Sequence, residues 1–313
     1  MSRQLILAIG AGVLTALFYV AVGLGSFGSL ILAYLAQLPL FAIALGAGFA
    51  HAAIAVGVAA VMIAAALPLT VAALFLGTVA LPVLVLANRA LLSRTNPDGS
   101  TEWYPPGHLL AALNAIALAA LVAVAVLFWG REGGMVGAGE ALLVEMTGGL
   151  AVGDASRQAM VAARERLAWL LPALVLISWQ IMVIVNGLLA QGALSRFSLN
   201  LRPGAPFREL WLPHWLSFAL VAALVASFLP GQIGDLGGNA AMVVALPFVF
   251  LGLSVIHALS VRWPARTFIL VCVYFGLVVA GWPALIVAAI GVLETWLSLR
   301  QRFSGGRPQD EEE

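Results

Sequence analysis

Lysine is missing from this 313-residue chain, cysteine occurs once, and charged residues make up only 9% of it. Soluble domains usually carry about a quarter charged residues, so a surface this poor in charge cannot face water over most of its area. The lone Cys272 excludes an internal disulfide and a cysteine-cluster metal site. The net charge of +1 gives no long-range attraction to nucleic acid, which we do not expect as a partner.

The signatures of several catalytic classes are absent as well. The sequence has no Walker motif, no H-E-x-x-H helix, no G-x-S-x-G elbow and no C-x-x-C-H haem signature. Paired central carboxylates and arginine series, which mark proton pumps and voltage sensors, are also missing from its apolar runs. We therefore expect the chain not to be an enzyme and to need no metal or other cofactor.

What the chain does have is long apolar runs, with 63% hydrophobic residues and a mean hydropathy of +1.06. A spanning helix needs about 20 mostly apolar residues. The sequence predicts an all-α, polytopic transmembrane helix bundle in a lipid bilayer, with about ten spans. Eight are long, and Gly281-Trp282-Pro283 splits a final run into a short helical hairpin. The predicted spans are 5–23, 29–47, 50–67, 69–88, 108–129, 167–190, 211–229, 238–260, 267–280 and 282–298.

Polar segments divide the chain into parts. We predict a front four-helix part over 1–88, a cytoplasmic linker over 89–107, a six-helix part over 108–302, and a disordered acidic tail over 303–313. Basic residues favour the cytoplasmic side of a membrane, and their placement predicts that both termini are cytoplasmic. All fifteen basic residues are arginine, which indicates GC-rich codons and favours a bacterial inner membrane as the location.

The insertion at 130–166 should lie outside the cell. Glycine pairs at 133–134 and 148–149 bracket a short amphipathic stretch at 137–147, and Asp154 is a predicted helix N-cap. From 155 the pattern is helical into the sixth span. We expect a connector on the outer leaflet, with a lid over an external opening as the alternative.

Ala8, Gly12 and Ala16 form a helix-packing stripe of small residues on the first helix. Small residues at four-residue spacing let another helix backbone approach closely. The stripe is suited to packing inside the bundle, which we expect, or to binding a partner protein.

Polar residues within apolar spans are the first candidates for ligand binding, because hydrocarbon offers them no partner. The turn at 230–239 adds a second set, since Gly237 and Gly238 should let the backbone bend before a helix that starts at about Asn239. The alternative for that turn is a simple helix cap. The candidate ligand-binding residues are Gln37 (in mid-helix), Asn114, Trp179, Gln180, Asn186, Gln232, Asp235 and Asn239.

His51, His257 and Glu294 form a third set, because the predicted topology places them at similar depth near the cytoplasmic side. A histidine–carboxylate cluster can relay protons or hold a cation. The alternative, which we favour, is that these helix-end groups are hydrogen-bonded or hydrated in the interfacial zone.

Four segments carry a resemblance to a known family: 33–41 (AYLAQLPLF), 237–247 (GGNAAMVVALP), 252–259 (GLSVIHAL) and 291–302 (GVLETWLSLRQR). They resemble the YybS-like family of predicted bacterial membrane proteins of unknown function, over most of the chain. That family is distantly similar to the substrate-binding membrane subunits of energy-coupling-factor vitamin transporters. Those subunits capture a small ligand in a helix bundle and dock on a separate ATPase module, but they have fewer helices than the ten predicted here. The likeness lies at the level of fold and carries no catalytic residue onto this chain.

Two functions follow as expectations. The first is a transporter-like inner-membrane subunit that binds a small solute within its helices and docks on another membrane protein or a transporter ATPase module. The alternative is a structural or assembly scaffold for a membrane or cell-envelope complex, which needs packing surfaces but no cavity.

Overall fold

The computed structural model describes residues 2–147 and 154–303, and the described chain is almost entirely helical. The all-α prediction is confirmed. The predicted acidic tail and the second glycine pair, at 148–149, lie outside the described residues, apart from Phe303 at the start of the tail.

The chain divides into two compact units by its own contacts, unit 1 with Met1–Leu113 and Ser178–Ala205, and unit 2 with Asn114–Ile177 and Pro206–Glu313. The division falls within two helices, α7 and α9, and so does not follow the polar linker at 89–107. The α-helices are α1 (Arg3–Val20), α2 (Phe27–Tyr34), α3 (Leu38–Ala47), α4 (Phe49–Ala66), α5 (Leu69–Phe75), α6 (Leu81–Ala90), α7 (Pro106–Leu127), α8 (Gly134–Thr147), α9 (Asp154–Arg196), α10 (Trp215–Ser227), α11 (Gln232–Leu259), α12 (Arg266–Val279), α13 (Pro283–Leu297) and α14 (Leu299–Phe303).

Seven helical segments of the described chain are long and apolar enough to cross a membrane. Helices α12 and α13 form a pair bent by 120°, which can add one more span. Gly281, with φ of +71°, lies in the turn that the sequence predicted between them. The count of about ten is not confirmed, because α10, α12 and α13 have only 13, 14 and 15 residues. The seven segments are Arg3–Leu24, Phe27–Ala47, Phe49–Ala66, Leu69–Ala90, Pro106–Leu127, Ala163–Arg196 and Gln232–Leu259.

Two of these segments are interrupted near their middles. Helix α2 ends at Tyr34 and α3 begins at Leu38, so Gln37 lies in a break and is the N-cap residue of α3. The prediction that Gln37 lies in mid-helix is wrong. Pro39 stands at the start of α3, where a missing N–H costs least. The segment Leu69–Ala90 contains a five-residue π-helix, Leu76–Ala80, a form that is rare and frequent at functional sites.

Helix α11 begins earlier than predicted, at Gln232 and not at about Asn239. The chain turns at Gly231, whose φ is +68°. Gly237 and Gly238 lie inside the helix and are buried. A Cβ atom would lie 2.5 Å from the Ser227 nitrogen at the first and 2.7 Å from the Trp169 ring at the second. These glycines therefore allow close packing and do not form a flexible turn.

The linker at 89–107 contains a β-hairpin that the sequence analysis did not predict. Strands β1 (Ser93–Thr95) and β2 (Thr101–Trp103) pair antiparallel, with Arg94 opposite Glu102. In the connecting loop the backbone N–H and hydroxyl of Ser100 donate to the Asp98 carboxylate at 2.8 and 2.6 Å. These bonds stabilise the ionised form and lower the pKa of Asp98.

The insertion contains helix α8, which covers the predicted amphipathic stretch at 137–147. Helix α9 begins at Asp154, one residue before the predicted start at 155, and runs for 43 residues. At 1.5 Å per residue this is about 65 Å, roughly twice the thickness of a bilayer core.

Small residues allow helix backbones to approach each other closely in each unit. In unit 1, Ala8, Gly12 and Ala16 are buried, and α1 packs against α4. A Cβ on Gly12 would lie 2.4 Å from the Ala55 carbonyl oxygen. In unit 2, α11 packs against α13 in the same way, through Gly252 and Gly291. The predicted stripe is thus covered by a helix of its own chain.

The crossing of α1 and α4 gives a test with an internal control. We expect Gly12→Ala to lower the free energy of unfolding by about 1–3 kcal/mol, because the added methyl group meets backbone atoms of α4. Gly10→Ala is the control, since nothing lies within 4 Å of a Cβ there. That variant should be neutral or slightly stabilising, since alanine favours helix more than glycine. Thermal unfolding in detergent measures both, and equal melting temperatures would contradict the packing described.

Candidate functional site

Prolines inside its helices leave backbone carbonyls of this protein without their usual hydrogen-bond donors. A proline brings no N–H, so the carbonyl four residues earlier loses its helical partner. Within hydrocarbon such a carbonyl must find a donor elsewhere in the protein. Three prolines interrupt long helical segments of the described chain in this way, namely Pro82, Pro172 and Pro247.

The first interruption lies in unit 1, at the π-helix. Pro82 follows Thr78 by four residues, and the Thr78 carbonyl accepts hydrogen bonds from two side chains. The Trp179 indole Nε1 donates at 2.8 Å and the Gln37 amide Nε2 donates at 3.3 Å. Two predicted ligand-binding residues are therefore brought together on one backbone oxygen. Gln180 is buried beside Trp179 on α9 and already has an interaction partner.

The second interruption lies in α11 of unit 2. Pro247 follows Val243 by four residues, and Asn114 Nδ2 from α7 donates to the Val243 carbonyl at 2.7 Å. Asn114 is fully buried. Its amide thus supplies the donor that the proline removed, and it joins α7 to α11.

At the third proline, Pro172 in α9, the carbonyl left open is that of Ala168, and Asn239 bonds the neighbouring pair of backbone groups. The Asn239 Oδ1 accepts from the Ala173 N–H at 2.8 Å, and its Nδ2 donates to the Trp169 carbonyl at 3.1 Å. Those two backbone groups are four residues apart, so the side chain bridges a pair that an uninterrupted helix would join directly. Nδ2 also donates to the Asp235 carbonyl at 2.9 Å, and the Trp169 indole donates to the Asp235 carboxylate at 3.1 Å.

Gln232 completes the set of predicted residues in unit 2. Its Nε2 donates to the Arg131 carbonyl at 3.2 Å, and its Oε1 accepts from the Gly130 N–H at 3.4 Å. It therefore ties the start of α11 to the turn after α7. Asn114, Gln232, Asp235 and Asn239 all serve contacts between segments, and whether any of them also binds a ligand stays a prediction.

The break between α2 and α3 differs from these proline sites, because two buried acceptor atoms there have no hydrogen-bond donor. Asn186 Nδ2 donates to the carbonyl of Tyr34, the last residue of α2, and to that of Met182, at 2.7 and 2.8 Å. Asn186 Oδ1 and Gln37 Oε1 have no hydrogen-bond partner among the described residues. The two residues are 1% and 0% exposed. An unpaired buried acceptor costs about 1–3 kcal/mol, so such groups in a native fold call for an explanation.

The sequence analysis missed three contributors to this region. Thr15 is fully buried on α1, and its hydroxyl also lacks a partner within the described chain. It lies one helical turn before Tyr19, whose ring packs edge-on against Phe75 at 5.3 Å, directly before the π-helix. Tyr34 contributes its carbonyl to Asn186 and its hydroxyl to Ser178, at 2.7 Å. Thr78 contributes only a carbonyl, which residue type does not reveal; Pro82 four residues later was the available signal.

The region lies near the middle of three spanning segments. Residues 34–37 stand near the centre of Phe27–Ala47, Thr78 near that of Leu69–Ala90, and Trp179 near that of Ala163–Arg196, with Asn186 about two helical turns further along. Discontinuous helices at mid-membrane are where secondary transporters place their substrates. We define the α2–α3 break site as Gln37 and Asn186 with the carbonyl groups of Tyr34 and Thr78.

Each member of the predicted polar relay has partners of its own. In unit 1 His51 Nδ1 lies 2.8 Å from the Ala47 carbonyl. In unit 2 His257 Nδ1 lies 2.9 Å from the Leu253 carbonyl, and its Nε2 lies 3.5 Å from the Tyr274 hydroxyl. These contacts fit the interfacial alternative, and the relay stays a prediction.

Glu294 is 8% exposed and forms an ion pair with Arg300 of α14, with 2.7 Å between Oε1 and Nε. The Arg300 guanidinium also donates to the carbonyls of Arg208 and Leu210 and to the Ser254 hydroxyl. This single side chain therefore joins α14 to α11 and to the segment before α10. Within the described residues no group of three or more histidine, cysteine, aspartate or glutamate side chains is placed to hold a metal.

Comparison with known proteins adds one finding. A family model described as predicted membrane protein (DUF2232) matches residues 13–295. No curated protein and no solved structure matches the chain significantly. The match supports a membrane protein with several apolar helices, while the YybS-like naming and the likeness to energy-coupling-factor subunits stay predictions.

The contribution of the Glu294–Arg300 ion pair to the stability of the fold can be tested by substitution. We expect Glu294→Gln to lower the free energy of unfolding by about 2–3 kcal/mol, because the partly buried Arg300 guanidinium would lose its counter-charge. The control is Glu102→Gln, which breaks the exposed Arg94–Glu102 pair in the hairpin, where side chains are 75% and 47% exposed. That change should cost less than about 1 kcal/mol. Denaturant titration in detergent compares the two, and a smaller loss for Glu294→Gln would contradict the proposed role.

Proposed function

This chain belongs to the DUF2232 family of predicted membrane proteins, and we propose that it binds a small polar solute at the α2–α3 break site of unit 1. The observation that carries the proposal is the pair of buried, unpartnered amide oxygens of Gln37 and Asn186. Folding gains nothing from leaving them unpaired, whereas a ligand that fills the site would satisfy them.

Transport accounts for the position of this site as well as for its chemistry. The break and the π-helix lie at mid-span, where discontinuous helices expose backbone carbonyls to a solute. A transporter-like subunit of this kind would dock on another membrane protein or on an ATPase module, as the resemblance implies. A bacterial inner membrane with both chain termini in the cytoplasm is part of the same proposal.

A thermal-shift screen of small polar metabolites on the detergent-purified chain tests solute binding. We expect at least one compound to raise the melting temperature by about 1–2 °C, the shift given by roughly 1 kcal/mol of binding linkage. Gln37→Met and Asn186→Leu should remove that shift, because each deletes one of the two free oxygens.

Asn114→Leu is the matched control, since it deletes a buried amide that joins α7 to α11 in the other unit. This variant should melt at a lower temperature and still respond to the compound. A screen without any stabilising compound, or a shift that survives in Gln37→Met, would remove the support for solute binding at this site.

A second function, a scaffold for a membrane or cell-envelope complex, is favoured by unit 2. There the predicted ligand-binding residues Asn114, Asn239 and Gln232 bond one segment to another. Purification in mild detergent with identification of bound proteins separates the two functions. A stable complex that persists in Gln37→Met, together with an empty metabolite screen, would support the scaffold.

A further inference from the structure

The two free amide oxygens of the α2–α3 break site are fixed as acceptors by their surroundings. An amide can turn over and exchange its oxygen and nitrogen, and only the hydrogen-bond network decides between the two. Asn186 faces two carbonyl oxygens, those of Tyr34 and Met182, so its nitrogen must point to them. Gln37 likewise turns its nitrogen to the Thr78 carbonyl. The oxygens that remain can only accept.

Donors, in contrast, are scarce at the break. The backbone N–H of Leu35 donates to the carbonyls of Ile31 and Leu32, and that of Ala36 to Ala33. The Leu38 N–H donates to the Leu35 carbonyl, and Pro39 has no N–H to offer. The start of α3 therefore lacks much of the donor set that makes other helix N-termini attractive to anions.

The electrostatic setting favours positive charge. Helix α2 ends at Tyr34, and a helix C-terminus carries a partial negative charge. The residues 27–47, 69–88 and 178–195 contain no arginine, lysine or histidine that would repel a cation. They contain no carboxylate either, so neutral oxygens would have to coordinate it. Potassium channels bind their ion with rings of neutral carbonyl oxygens in the same way.

We infer that the α2–α3 break site takes a ligand with a single positive charge, either a primary ammonium group or a bare alkali-metal ion. The inference rests on the proposed solute site and specifies its chemistry. Gln37 Oε1 and Asn186 Oδ1 bind the charge, and the end of α2 stabilises it. The small number of backbone donors disfavours an anionic solute, and the lack of carboxylates disfavours a divalent metal.

Melting temperatures of the purified chain in four chloride salts at one ionic strength test this inference. Sodium, potassium and methylammonium are the probes, and choline, which has no N–H and is too large, is the reference. We expect one probe to raise the melting temperature above the choline value by about 2–4 °C at 100-fold its half-saturating concentration. The sodium and potassium arms report an alkali-ion site, and the methylammonium arm reports an ammonium site.

Two variants connect the effect to the site. Gln37→Met should remove the difference between the probe and choline, since it deletes one coordinating oxygen. Gln37→Glu should lower the half-saturating concentration only at a pH high enough to ionise the carboxyl group, because a charged oxygen then replaces a neutral one while the Trp179 indole still donates to Thr78. Asn114→Leu should respond as the wild-type chain does.

The outcomes separate this inference from the proposed function. Identical melting in all four salts, with a neutral or anionic metabolite whose shift disappears in Gln37→Met, would overturn the cation and keep the solute site. Identical melting in all salts together with an empty metabolite screen would overturn both. A salt effect that Gln37→Met and Gln37→Glu leave unchanged would place the ion elsewhere and also overturn the inference.

Discussion

The constraint on which this structure depends is the need to pair every backbone carbonyl that a proline leaves open inside an apolar helix. Water cannot meet that need within a bilayer, so a side chain from another segment must. Asn114 donates to the Val243 carbonyl before Pro247, and Trp179 and Gln37 donate to the Thr78 carbonyl before Pro82. Each of these side-chain hydrogen bonds joins two segments. The prolines therefore favour particular helix pairs, although they weaken the single helices that contain them.

This constraint also separates polar groups that are fully used from those that are not. Asn239 bonds through both atoms of its amide. Gln37 and Asn186 use their nitrogens in the same way, but each keeps an oxygen free. A polar residue in a membrane helix is therefore no functional signal by its type alone. The functional signal is a buried side-chain polar atom that still lacks a hydrogen-bond partner when the backbone groups around it are paired.

The sequence predicted the class of fold well, because long apolar runs report directly on local helices that can cross a membrane. It also located the turn at Gly281 and the start of α9 to within a residue. It failed at Gly237 and Gly238, whose composition indicates a turn although their role is close contact with neighbouring helices. It failed at Gln37 for a similar reason, since the break there depends on partners from distant segments, and periodicity does not show them.

A site of neutral oxygens at a helix break suits a ligand that must leave again. A buried carboxylate would bind a cation more tightly, but it would also require a partner or a proton whenever the site was empty. An unpaired amide oxygen costs less free energy than an unpaired carboxylate, about 1–3 kcal/mol each. It also needs no change of protonation between the filled and empty states of the site. The nitrogens of the same amides hold the segments together throughout, since they bond the Tyr34 and Thr78 carbonyls. In the proposed site, Gln37 and Asn186 would each hold a structural bond through the amide nitrogen and a ligand through the amide oxygen.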